Sequence, residues 1–239
     1  MDAPAPELEP LVMIPGMMSD ARVFAPQLAA FSGFMPVMVA PPVGGDTVEE
    51  IAAQMAPQLP MRFALVGLGL GGLVAMELLR RHSDRITRLC LMSASAQPET
   101  PADSSEREPH IIGARTGRLE EAVRSIVEPD LMAPVSARLE LAQSLIDMGM
   151  DMGGELFVAQ SRAMQRSADM QSALRRCHGP ALVLRGEYDR RVPAKHQSFV
   201  AALLPKGELV EVPRASHYPG LENAQLVNQV LAEWLSQPI

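Results

Sequence analysis

Two polar residues and one glycine-rich turn mark where this chain could do chemistry. Asp189 closes PALVLRGEYD (180–189), and His217 sits in the loop PRASHYPGLENAQ (213–225). A histidine with a carboxylate partner can serve as a general base. The turn GLGLGG (67–72) lies inside FALVGLGLGGLVAMELL (63–79) and fits two incompatible templates. Read as G-x-G-x-x-G through Gly67, Gly69 and Gly72, it is a dinucleotide fingerprint. Read as G-x-S-x-G-G with its serine replaced, it is the turn that presents a nucleophile, with Gly69 where the hydroxyl belongs.

The elements around these residues alternate. LVMIPG (11–16), MPVMVAP (35–41), RFALVG (62–67), ITRLCLMSA (86–94), PALVLRGEYD and GELVEVP (207–213) each hold a short apolar run bounded by turn residues. They give candidate strands at 11–15, 36–40, 62–66, 86–92, 181–186 and 208–212. Helical spacing appears between them, as in TVEEIAAQMAPQL (47–59), GGLVAMELLRRH (71–82), AKHQSFVAALL (194–204) and NAQLVNQVLAEWL (223–235). Strand-helix alternation with short connections predicts a mostly parallel sheet of about six strands with helices on both faces. From about Gln97 to Arg176 no strand is expected, and helices are read at 117–127, 134–150 and 153–165. The expected organisation is a core in two parts, 1–96 and 177–239, with a helical cap at 97–176.

A dinucleotide fingerprint normally follows the first strand of its domain and needs a carboxylate after the next strand. Here two strands come first, and the next strand runs into Leu91, Met92, Ser93 and Ala94. The nucleophile-turn template has support at three separated places. PGMMSDARVF (15–24) opens a loop that can present a backbone N–H, Asp189 follows a strand, and His217 follows the last strand. The order turn, acid, histidine and the position at strand carboxyl ends both suit this template.

Over nearly its full length the chain resembles the α/β-hydrolase superfamily, in its compact, helical-capped, esterase-like form. The resemblance rests on PGMMSDARVF, FALVGLGLGGLVAMELLRRHSDRITRLCLM, ALVLRGEYDRRVP and ASHYPGLENAQLVNQVLAEWL. It implies an α/β-hydrolase fold, Asp189 as the acid, His217 as the base, and oxyanion donors at the N–H groups of Met17 and Leu70. It implies hydrolysis of carboxylic esters with small to medium apolar acyl groups. Two departures stand out. Gly69 replaces the serine, so acyl-enzyme chemistry is lost or much reduced. The usual Gly-His is here Ser216-His217. Ser19, Ser93, Ser95 and Ser216 are weak substitutes for the nucleophile, Ser19 being the expected cap of the helical passage after it. The alternatives are a lyase or cofactor-free catalyst using His217, and a ligand-binding pseudoenzyme.

Composition narrows the remainder. Net charge is −7 and 47% of the 239 residues are hydrophobic. Nucleic acid is not an expected partner, because no basic surface is evident; Arg80, Arg81, Arg85 and Arg88 read as a solvated helix end. An anionic ligand would need a local basic pocket that the sequence does not display. Cys90 and Cys177 make neither a disulfide framework nor a metal site. No metal or cofactor is expected, nor a membrane span, and the start MDAPAPELEP lacks the features of a leader. A cytoplasmic protein acting on a small molecule follows. Helical periodicity favours burial of the many methionines. The sharper alternative is a flexible apolar wall against the substrate, for which Met18, Met148 and Met152 are the candidates.

Overall fold

The structure is a computed structural model that describes residues 9–129, 132–135 and 137–239. The start that was read as lacking a leader lies, up to residue 8, outside the described residues. The strands are β1 (Leu11–Ile14), β2 (Val37–Val39), β3 (Phe63–Leu68), β4 (Ile86–Met92), β5 (Ala181–Gly186) and β6 (Gly207–Val212). They form one sheet in the order β2-β1-β3-β4-β5-β6, and every pairing is parallel. The expected α/β sheet is present, with strand ends within two residues of those read from sequence.

Alternation along the strands divides the core. Val12, Ile14, Leu65, Leu91 and Val183 join one buried cluster with Ile51, Val74 and Val200. Leu11, Met13, Val66, Cys90 and Leu182 join the other with Phe24, Phe157 and Trp234. The helices are α1 (Ala25–Phe31), α2 (Val48–Met55), α3 (Leu70–His82), α4 (Pro101–Arg115), α5 (Leu119–Ile126), α6 (Arg138–Met152), α7 (Gly154–Gln165), α8 (Gln171–Leu174), α9 (Ala194–Leu203), α10 (Pro219–Glu222) and α11 (Ala224–Ser236). Covering a parallel sheet on both faces is what its apolar central strands require.

Helices α4 to α8 all fall between β4 and β5. No helix is expected from the sequence at α4, which carries Pro101 and Pro109. Pro101 occupies the first turn, where its missing N–H has no partner to lose. Thr100 and Asp103 complete a reciprocal capping box, and Pro109 is carried inside the helix. The segment read as helix from 117 starts later, at Leu119, after Gly117 at φ 86°.

Arg80 and Arg81 stand exposed in the last turn of α3, as a solvated helix end should, whereas Arg85 and Arg88 turn inward. Arg80 and Arg81 both bind the fully buried Glu77 carboxylate. Arg85 donates to the carbonyls of Ala56, Leu59 and Pro60, and Arg88, 6% exposed, donates to those of Trp234 and Gln237. These cations tie the loop before β3 and the C-terminal helix to the sheet. Arg185 on β5 pairs with Glu211 on β6 at 2.9 Å.

The start of α3 lies flush against the sheet. A Cβ on Gly71 would sit 2.2 Å from the Ile14 carbonyl oxygen, and one on Gly67 would sit 2.5 Å from that of Gly71. Backbone on both sides leaves no flexible atom to move aside. Gly71→Ala should therefore destabilise the fold by about 3 kcal/mol, read as a lower midpoint in urea unfolding; a midpoint equal to the parent's would contradict the close packing.

Candidate active site

The site is assembled from the loops that leave the carboxyl ends of β1, β3, β4 and β5, together with the loop after β6. Gly69 stands between β3 and α3 with φ 52° and ψ −114°. L-residues rarely take this conformation, whereas glycine takes it readily. Its N–H donates to the Met92 carbonyl at 3.0 Å, which fixes the turn against β4. A Cβ built on Gly69 would lie 3.1 Å from His217 Nε2 and 4.0 Å from Gly16 Cα. The turn therefore aims its absent side chain at the imidazole.

Asp189 follows β5, and its side chain is 1% exposed. Its Oδ1 accepts the N–H groups of Arg191 at 3.0 Å and Val192 at 3.1 Å. Its Oδ2 accepts Gln197 Nε2 at 3.1 Å. His217 Nδ1 lies 3.4 Å from Oδ1, a long contact of the kind that tightens when a site closes on its ligand. Burial pushes the carboxyl pKa up. The charge and hydrogen bond of His217, the Val192 N–H and the neighbouring Ser93 hydroxyl outweigh burial and hold it below the ordinary carboxylate value. With Nδ1–H directed to Asp189, Nε2 presents a lone pair toward Gly69.

Met17 and Leu70 both line the cavity at this point. Neither N–H has a hydrogen-bond partner among the described residues. Leu70 is the first residue of α3, where N–H groups point outward and the helix dipole favours negative charge. The Met17 loop is pinned from α6 and α7. Met18 is strained at φ 50°, and its N–H donates to Gln160 Oε1 at 2.8 Å. Gln160 is fully buried and spends its Nε2 on the Pro42 carbonyl at 2.9 Å. The Asp20 N–H meets Met148 Sδ at 3.1 Å.

These contacts revise several expectations. Met18 and Met148, each 2% exposed, pack in the core and hold the loop, and Met152 packs against the same cluster. None of the three lines the cavity; Met17 and Met164 do. Ser19 donates to the Met17 carbonyl, and Asp20 provides the helical cap. Ser216 turns to Glu222, away from the cavity. Ser93, at φ 49°, is fully buried on the cavity wall beside Asp189.

The cavity encloses about 610 Å³. Leu73, Ile126, Phe157 and Met164 give it apolar surface, while Arg107, His110, Arg190, Arg191 and His196 bring charge and polarity that the sequence did not display. Arg107 is paired with Glu99 on the same wall. Among the described residues no group of three or more metal-ligating side chains occurs, and no helix is long and apolar enough to cross a membrane. The dinucleotide template fails structurally too. Of its glycines, Gly67 lies against the start of α3, Gly72 faces Ala94 and Gly69 faces His217, and the strand after it ends at Met92, followed by Ser93 with no carboxylate. Gln160 and Gln197, which sequence reading missed, each sit on the buried stripe of a helix. A polar residue at an apolar position was the available signal.

Residues 11–230 match the model of the "Alpha/beta hydrolase family". Curated relatives include the pimeloyl-[acyl-carrier protein] methyl ester esterase of Vibrio cholerae, 28% identical over 80% of this chain and 77% of that protein. That of Chromobacterium violaceum is 28% identical over 78% and 75%. Similar solved structures include a thermophilic esterase from Thermogutta terrifontis, with TM-score 0.83 and 24% identity over 95% of this chain and 89% of that one. Another is the enol-lactonase from Burkholderia xenovorans, with TM-score 0.82 and 22% identity over 96% and 92%.

A carboxylate whose folded pKa is depressed stabilises the fold above its unfolded pKa, and loses that contribution as pH falls through the folded value. Asp189→Asn should cost on the order of 1–3 kcal/mol near pH 7. The gap in melting temperature between parent and variant should narrow as pH drops below about 4. A gap independent of pH would show that the Asp189 charge contributes no stability.

Proposed function

The chain belongs to the alpha/beta hydrolase family, and from that premise we propose that it is a carboxylic-ester hydrolase scaffold whose acyl-enzyme route is lost at Gly69. The observation that carries the reading is the 3.1 Å approach of the Gly69 Cβ position to His217 Nε2, on a sharp strand-to-helix turn of the kind that presents a nucleophile. Asp189 and His217 are the acid and base. Met17 and Leu70 donate their N–H groups to the oxyanion of a tetrahedral intermediate. Helices α4 to α7 act as the cap, and the apolar part of the cavity takes a small to medium acyl group. The curated relatives named as methyl ester esterases support ester hydrolysis as the ancestral chemistry.

The mechanism follows from what remains. The ester carbonyl carbon sits over Gly69 with its oxygen between the two N–H donors. A water beside Gly69 gives a proton to His217 Nε2 as its oxygen attacks that carbon. Asp189 stabilises the imidazolium. His217 then returns the proton to the leaving alkoxide as the C–O bond breaks, giving acid and alcohol with no covalent intermediate. In enzymes that lose a triad member, the oxyanion hole and binding leave roughly 10³–10⁴-fold acceleration over water. Retention of the acid–base pair favours this route over a pure receptor, which has no catalytic need of it.

Hydrolysis of p-nitrophenyl acetate, butyrate and hexanoate tests the proposal. Gly69→Ser should raise kcat/KM by at least about 10²-fold and cost about 1–3 kcal/mol of stability at the strained position. His217→Ala in the parent should remove its residual rate. Equal rates for the parent and Gly69→Ser would sink the assignment, and an unchanged rate in His217→Ala would sink the water mechanism.

A further inference from the structure

The loop that carries His217 is held by one carboxylate. Glu222 ends α10, five residues after the histidine, and folds back across the loop. Its Oε2 accepts the N–H groups of Ser216 at 2.8 Å and Tyr218 at 3.1 Å, the residues on either side of His217. The Ser216 hydroxyl lies 2.9 Å from each carboxylate oxygen. Its Oε1 also accepts the Ala133 N–H at 3.2 Å, from the stretch between α5 and α6. Ser216 and Ala133 are buried, 1% and 0% exposed, and Glu222 reaches them from a half-buried position.

We infer that Glu222 is a positioning residue for His217, seating the base loop and tying that seat to the helical segment between β4 and β5. The inference rests on the reading of His217 as the base. Glu222 is absent from the cavity lining, so it acts through the loop and not on the ligand. The chemistry calls for a carboxylate. Every group that meets it is a donor, and an ionised carboxylate only accepts. Glutamine is nearly isosteric but would face those donors with its own NH₂. The geometry also accounts for Ser216 before the histidine, since its hydroxyl supplies a donor that glycine cannot. Asp189 sets which ring nitrogen is protonated, and Glu222 sets where the ring stands relative to Asp189. The 3.4 Å Nδ1–Oδ1 contact leaves little slack before the bond is lost.

Nitrogen-15 NMR of the histidine ring in the Gly69 protein tests this without turnover. In the parent, neutral His217 should be mainly the Nδ1–H tautomer. Glu222→Gln should lower the Nδ1–H fraction at least about twofold, while the Trp234 indole N–H, bonded to the Pro180 carbonyl at 3.2 Å, keeps its resonance as a report on the fold. Ser216→Ala should shift the tautomers in the same direction by less, and decides the matter where Glu222→Gln does not fold. A tautomer ratio unchanged in the folded variants overturns the inference. If Gly69→Ser gains no esterase activity but the tautomers still shift, the functional reading fails and the positioning role stands.

Discussion

The structure depends on one steric constraint, the absence of side chains where α3 meets the ends of β1 and β3. Gly67 and Gly71 let backbone approach backbone, and Gly72 lets α3 approach Ala94. That approach leaves the intervening residue a sharp turn at φ 52°, aimed at His217. The turn persists although the residue at its apex is itself a glycine. The scaffold therefore keeps the direction in which a nucleophile would project, independent of whether one is there. With glycine at this turn, the fold, the unpaired N–H groups of Met17 and Leu70 and the Asp189–His217 contact are all in place among the described residues.

The rest of the site is held from a distance by polar side chains buried in helices. Gln197 on α9 and the Arg191 and Val192 N–H groups fix Asp189. Gln160 and Met148, on α7 and α6, fix the loop of Met17. The helices between β4 and β5 thus do more than wall the cavity. They also fix the conformation of the Met17 loop beside Gly69.

The sheet was legible in the sequence because short apolar runs with turn residues at their ends have few other uses, and all six strands formed within two residues of the expected limits. The turn at Gly69, Asp189 and His217 was legible because each sits just past a strand. What escaped was whatever required knowing what faces what. Helix α4 was hidden by prolines that a first turn tolerates and a longer helix can carry. Met18, Met148 and Met152 could not be assigned, because an adaptable apolar side chain looks the same in a core as on a cavity wall. The basic residues of the cavity come from α4, from the loop after Asp189 and from the start of α9, and only folding brings them together.

If Gly69 stands where a nucleophile would, with the groups around it able to activate one, a serine placed there must react. Intact-protein mass spectrometry after treatment with a fluorophosphonate tests it most directly. Gly69→Ser should gain a single covalent adduct at residue 69, adding His217→Ala should abolish it, and the parent should stay unlabelled. A folded Gly69→Ser protein that takes up no adduct, or a parent labelled to the same extent, would contradict it.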